Sequence, residues 1–161
     1  MGRATPCVNT QAKWIFSLVS KTFRTLKTAV DKARPPYILH PLRLMMRVET
    51  ETEKIAAVLH EVVEDSQPPQ CWGFDEWRRE GFSEPVLTAL ECVTRREGET
   101  YEEFIRRPLT HPVARRVKLA DLEDDLDIRR LATITDRDAE RLRRYLAAWR
   151  VLTEDFVGDE R

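Results

Sequence analysis

Val58-Leu59-His60-Glu61-Val62-Val63-Glu64-Asp65 sets apolar and ionisable residues on the repeat of a helix rather than of a strand. At roughly 100° per residue, Ile55, Val58, Leu59 and Val62 fall on one side and His60, Glu61, Glu64 and Asp65 on the other. A solvated helix would mix lysine or arginine among those acids, one turn away, yet none lies between Lys54 and Arg78. The compensating cation has to come from elsewhere. Carboxylates and an imidazole packed into two turns suit a divalent metal that activates water, whereas His60 taken alone reads more readily as a hydrogen-bonded core histidine than as a ligand.

Thr50 and Glu53 have capping-box spacing and start this helix, and Gln67-Pro68-Pro69 ends it. Upstream, Arg34-Pro35-Pro36-Tyr37 is a break, because proline lacks a donor and biases its predecessor toward extended geometry. His40 to Met46 then reads as a short buried helix with Pro41 in its first turn. Earlier still, Lys13, Lys21, Arg24 and Lys27 surround Trp14, Phe16, Leu18, Phe23 and Leu26 in a basic amphipathic helix over about residues 10–30. A first core helix, a membrane-surface helix and a targeting peptide all fit that pattern.

Downstream, Phe74–Arg79 is a short helix stopped by Gly81, and Ser83 caps a helix through Val86, Leu87, Leu90 and Val93. Thr100 and Glu103 form a second capping box, opening a helix that Pro108 closes. Pro112 opens the next, where Lys118, Asp121 and Asp125 form a polar strip between two apolar stripes, as expected of a buried helix lining a pocket. Thr135-Asp136-Arg137-Asp138 begins a last packing helix through Ala139, Leu142, Leu146, Trp149, Leu152 and Phe156. No run alternates with a period of two, so the class is all-α, a bundle of about seven to nine helices in a single domain over residues 1–161.

A chain of 161 residues buries about 70% of the surface it exposes when unfolded. Cys7, Cys71 and Cys92 are odd in number, widely spaced and without a CxxC pattern, which points to a reduced compartment and away from a zinc ribbon. No apolar run approaches the ~20 residues that span a bilayer, so a cytoplasmic location is expected. Charged residues make up 34% of the chain but cancel to a net charge of -1, giving no bulk signal for nucleic acid or membrane. The pairs Arg95-Arg96, Arg106-Arg107, Arg115-Arg116 and Arg129-Arg130 read as solvated ion-pair faces or as phosphate contacts, the former being the plainer reading. If the His60 and Asp121 helices meet, Glu61, Glu64, Asp65, Asp121 and Asp125 crowd one space, which raises some of their pKa values unless a metal or Lys118 compensates.

Pro36-Tyr37-Ile38-Leu39-His40-Pro41-Leu42, Ala57-Val58-Leu59-His60-Glu61-Val62-Val63-Glu64-Asp65-Ser66 and Val117-Lys118-Leu119-Ala120-Asp121-Leu122-Glu123-Asp124-Asp125 resemble three signature blocks, in order and spacing. The blocks are those of the HD-superfamily (p)ppGpp hydrolases of the RelA/SpoT type, and most of all the small stand-alone hydrolases without a synthetase domain. The resemblance runs from about residue 25 to about residue 155 and takes in Arg143-Arg144-Tyr145. It implies an HD-like helical fold and a metal-dependent phosphohydrolase whose partner is a small-molecule nucleotide, a guanosine polyphosphate.

In that family the metal, usually manganese (Mn2+), is held by an early histidine, a His-Asp pair and a late aspartate. The pair falls on His60 and Glu61, the late aspartate on Asp121. Glu64 and Asp65 correspond to acids that orient the attacking water, and Lys32, Asp125 and Tyr145 fall on the substrate side. Counting back through Asp31-Lys32-Ala33 puts the early histidine on Leu26, while His40 falls in a His-Pro element read as structural. Glu61 is one methylene longer than the family's aspartate, so the backbone would have to adjust. Asp125 replaces an asparagine that contacts the nucleotide, and serves either to repel a polyphosphate or as a substitute ligand. These departures leave two expectations open: a metal-dependent hydrolase, or a helical nucleotide- or partner-binding module that has lost its metal.

Overall fold

The computed structural model describes residues 38–64 and 73–154. The basic segment over 10–30, Leu26, Lys32, the Arg34–Tyr37 break, Asp65, Trp72 and Phe156 lie outside the described residues. Among those described are seven α-helices and no strand: α1 (Leu39–Arg47), α2 (Glu51–Glu64), α3 (Phe74–Arg79), α4 (Glu84–Val93), α5 (Tyr101–Arg106), α6 (Pro112–Asp125) and α7 (Asp136–Glu154). Short 3-10 turns follow α5 and α6, over Arg107–Thr110 and Ile128–Arg130. None of these helices is long and apolar enough to cross a membrane.

The bundle is built around α2, every residue of which from Ile55 to Val62 is buried. Its start is the expected capping box: Thr50 Oγ1 accepts from Glu53 N at 3.3 Å, and Glu53 Oε2 accepts from Thr50 N at 2.8 Å. That exchange satisfies two of the donors a helix start leaves open. α1, α4 and α6 pack on α2, and α6 also meets α1, α4 and α7. Leu44, Leu59, Leu87, Leu90 and Val117 fill the space between them with almost no exposure, each contributing about 1.5 to 3 kcal/mol by leaving water. A smaller apolar cluster of Phe104, Ile105, Leu122, Ala148 and Leu152 joins α5, α6 and α7. The site described below lies where α1, α2 and α6 meet.

Several local details refine these readings. Trp77 is fully buried in the core and stacks edge-on against Phe82 at 5.3 Å between ring centroids. Ser83 occupies the N-cap of α4, but its side chain makes no capping bond. α5 does close ahead of Pro108, at Arg106, and the chain continues in a 3-10 turn that the fixed φ of Pro108 suits. Along α7 the buried seam is Ala148 and Leu152, with Tyr145 and Trp149 half-buried, whereas Leu146 is exposed. The expected spacing holds at Ala139, Leu142, Trp149 and Leu152, and only Leu146 among its described members departs from it.

Candidate metal centre

α2 supplies His60 and Glu61. His60 Nδ1 lies 2.8 Å from the Ala57 carbonyl oxygen one turn back, so the ring proton on that nitrogen is donated to the backbone. In the neutral ring the other nitrogen then carries the lone pair. Among the described residues His60 Nε2 is buried with no well-aligned hydrogen-bond partner, its nearest carboxylate oxygen, Glu61 Oε1, lying 3.1 Å away. A buried nitrogen left in that state is costly in a closed core and suits a metal ligand.

α1 supplies a second imidazole. His40 is buried at the start of that helix, and its Nε2 lies 3.2 Å from Glu61 Oε1 and 3.2 Å from Asp121 Oδ1. Its Nδ1 is 2.8 Å from Asp124 Oδ2. The two imidazole centroids are 5.7 Å apart and inclined at 60°. His40 is therefore a site residue and not merely a structural part of a His-Pro turn.

α6 supplies Asp121 through the buried polar strip. Its Oδ1 faces His40, while its Oδ2 accepts from Lys118 Nζ at 2.7 Å. Lys118 also lies 4.7 Å over the Phe104 ring. Burial alone would push the Asp121 carboxyl up, but Lys118, the hydrogen bond to His40 and the charges of both histidines hold it well below the usual carboxylate range. Burial likewise pulls His40 down, and its bonds to Asp121, Asp124 and Glu61 override this and raise it to about 11. His60 is raised as well, Glu61 and Asp121 outweighing its burial and the repulsion of His40.

His40, His60, Glu61 and Asp121 each offer one ligand atom, all within 4.8 Å of one another and all buried. An ion bonded at about 2.0 to 2.2 Å spaces its ligands roughly 3 to 4.5 Å apart, so small side-chain adjustments close the set on one cation. Two nitrogens and two carboxylate oxygens form a borderline donor set, suited to manganese, zinc or iron more than to calcium. The extra methylene of Glu61 does not exclude it: its carboxylate reaches both imidazoles. The residues present fit a divalent metal, and nothing in the donor set singles out one.

The remaining expected residues divide. Asp125 does not join the four ligand atoms; it hydrogen-bonds Tyr145, whose hydroxyl is pushed up by burial and by that carboxylate. Those two residues are brought together across α6 and α7, beside the centre. Glu64 closes α2 one turn after Glu61, but its side chain and Asp65 fall outside the described part of the chain.

Sequence reasoning missed His40, Asp124, Arg43, Arg130 and Tyr101. The Tyr101 hydroxyl is buried without a partner among the described residues, and its proton is held by burial and by the nearby charges of Asp121 and Asp125, against the opposing charges of Lys118 and Arg144. Arg144 lies 5.9 Å from its ring. Most other arginines do form the expected ion-pair faces, with Arg106 on Glu102, Arg107 on Glu99 and Arg129 on Asp127. Neither a family model nor a curated protein matches this chain.

Proposed function

We propose that the chain is a divalent-metal-dependent phosphohydrolase acting on a guanosine polyphosphate of the ppGpp class. The observation that carries the reading is the paired commitment of the two histidines. Each spends Nδ1 on an acceptor and turns Nε2 toward Glu61 in a buried space, and His40 Nε2 reaches Asp121 as well. His40, His60, Glu61 and Asp121 would hold the ion, manganese by resemblance, and the ion would supply Lewis acidity and a water ionised near neutral pH. Lys118 offsets the charge of Asp121 and keeps its Oδ2 fixed. Burial of the whole set excludes bulk water and strengthens each electrostatic contact. Tyr101 offers a hydroxyl that finds no acceptor among the described residues, and Tyr145 with Asp125 forms the polar wall beside it. The resemblance assigns to Glu64 and Asp65 the orientation of the attacking water.

A second reading has its own support. Lys118 on Asp121 and protonated His40 among three carboxylates close the cluster without a metal, as in a binding module held by ions alone. Metal analysis of protein purified without chelator separates the two, with about one Mn2+-class ion per chain expected. Incubation with ppGpp and Mn2+ should release pyrophosphate, and His60→Ala should abolish both metal and release. Metal-free protein that stays inactive with added Mn2+ would overturn the hydrolase reading.

A further inference from the structure

Asp124 stands outside the four ligands, yet its side chain is wholly buried. It follows Asp121 by three residues on α6, so the two acids share a helix face about one turn apart. Arg43 reaches it twice, Nε to Oδ1 at 2.7 Å and Nη2 to Oδ2 at 2.9 Å. Arg130, from the turn after α6, donates Nη1 to Oδ2 at 2.5 Å and to the Asp124 backbone oxygen at 2.8 Å. Arg47 adds a third guanidinium 3.6 Å from Oδ1. Its remaining neighbour is His40 Nδ1.

Such a network is a poor way to add stability, since replacing buried ions by apolar side chains of similar volume is often neutral or better. Its distinctive product is a fixed acceptor at one nitrogen of one imidazole. An acceptor at Nδ1 keeps a ring proton there, stops rotation of the ring and leaves Nε2 directed at Glu61 and Asp121, where in the neutral ring its lone pair is open to a cation. His60 gets the same service from a backbone carbonyl of its own helix. His40 is the second residue of α1, and its acceptor comes from α6. Arg43, three residues beyond His40 on α1, grips the same carboxylate and so ties the helix that carries the imidazole to the helix that orients it.

We infer that Asp124, held by Arg43 and Arg130, is a positioning residue that orients His40 so that its Nε2 is presented to a divalent cation shared with His60, Glu61 and Asp121. The inference rests on the reading of the cluster as a metal centre. It extends the site to Arg43 and Arg130, whose side chains are partly exposed.

The test uses the full chain and Mn2+ as probe, with wild type, Asp124→Asn and Arg43→Gln compared by calorimetric titration of metal-stripped protein. Asp124→Asn should lower Mn2+ affinity by roughly tenfold to a hundredfold, the usual loss when a histidine ligand loses its outer partner. Arg43→Gln, on a half-exposed side chain, should weaken binding in the same direction by less, and it carries the test should Asp124→Asn fail to fold. Heteronuclear NMR of the histidine ring nitrogens supplies a readout that a merely structural role would not move. In metal-free wild type the His40 Nδ1 proton should be retained in a strong hydrogen bond, and in both variants it should exchange faster. Unchanged Mn2+ affinity together with unchanged His40 signals in the folded variants overturns the positioning role while leaving the metal centre intact. Wild-type protein that takes up no Mn2+ overturns the metal centre and this role with it.

Discussion

Shortening Glu61 to aspartate tests the centre hardest, because resemblance and geometry disagree about the outcome. By resemblance aspartate is the expected residue, so Glu61→Asp would repair the site. In the structure, however, Glu61 Oε1 already stands 3.1 Å from His60 Nε2 and 3.2 Å from His40 Nε2. Removing one methylene withdraws the carboxylate by about 1.5 Å, the length of a carbon–carbon bond, against a tolerance of about ±0.2 Å for metal–ligand distances. α2 is poorly placed to follow. It is buried on all sides from Ile55 to Val62, and shifting it toward α1 and α6 would drive Leu59 and Val62 into close-packed neighbours. The expected result is Mn2+ affinity lower by at least roughly tenfold, the smaller of the losses seen when even an outer partner is removed. The vacated methylene adds a destabilisation of about 1 kcal/mol. Calorimetric titration of metal-stripped wild type and variant reads the first effect, and urea unfolding the second. A variant that binds Mn2+ more tightly than wild type would refute the reasoning and show that α1 and α6 close around the shorter side chain.

Metal-free protein should lose stability as pH rises. His40 is pulled down by burial but raised from 6.5 to about 11 by Asp121, Asp124 and Glu61. Its contribution is thus complete below the ordinary imidazole pKa and is withdrawn as pH climbs toward the folded value; urea midpoints that stay level or rise over that interval would contradict this. Lys118→Met removes the 2.7 Å bond to Asp121 and should cost about 3 to 5 kcal/mol without metal, part of which saturating Mn2+ restores. Equal losses in thermal unfolding with and without Mn2+ would mean that no cation shares that carboxylate. Tyr101→Phe deletes a hydroxyl with no partner among the described residues, so Tm should hold or rise while kcat/KM for ppGpp falls roughly tenfold, the worth of one hydrogen bond to substrate. Unchanged kcat/KM would remove Tyr101 from the substrate side.

The helices and their starts were legible because their causes are local. A threonine followed three residues later by an acid produced a reciprocal cap at Thr50, Thr100 and Thr135 alike. The polar strip of α6 was legible for a similar reason: Lys118 and Asp121 are one turn apart, and they do face the centre. His40 was not, since its importance comes from partners 84 and 21 residues away, Asp124 and Glu61, that no local pattern connects. In the run Glu123-Asp124-Asp125, three neighbouring acids have three different roles, with Glu123 taking the Trp149 indole N–H, Asp124 the His40 ring and Asp125 the Tyr145 hydroxyl. Only the helical phase relative to Asp121 separates them, and three consecutive acids blur that phase.

The ion network and the metal centre need not be rival architectures. With both imidazoles protonated, the cluster carries two added positive charges among its carboxylates; with both neutral and a divalent ion bound, it carries the same total. Exchange of two protons for one cation leaves the electrostatic sum of the buried space unchanged, so the surrounding helices can have one structure in both states. Lys118 and the arginines on Asp124 compensate the remaining carboxylates in either state. The ligands are then held in place before the ion arrives, and the conformational entropy of assembling them is met by folding rather than by metal binding. A close-packed α2 is what makes this possible: it fixes His60 and Glu61 on adjacent residues, so α1 and α6 have only to deliver one donor each.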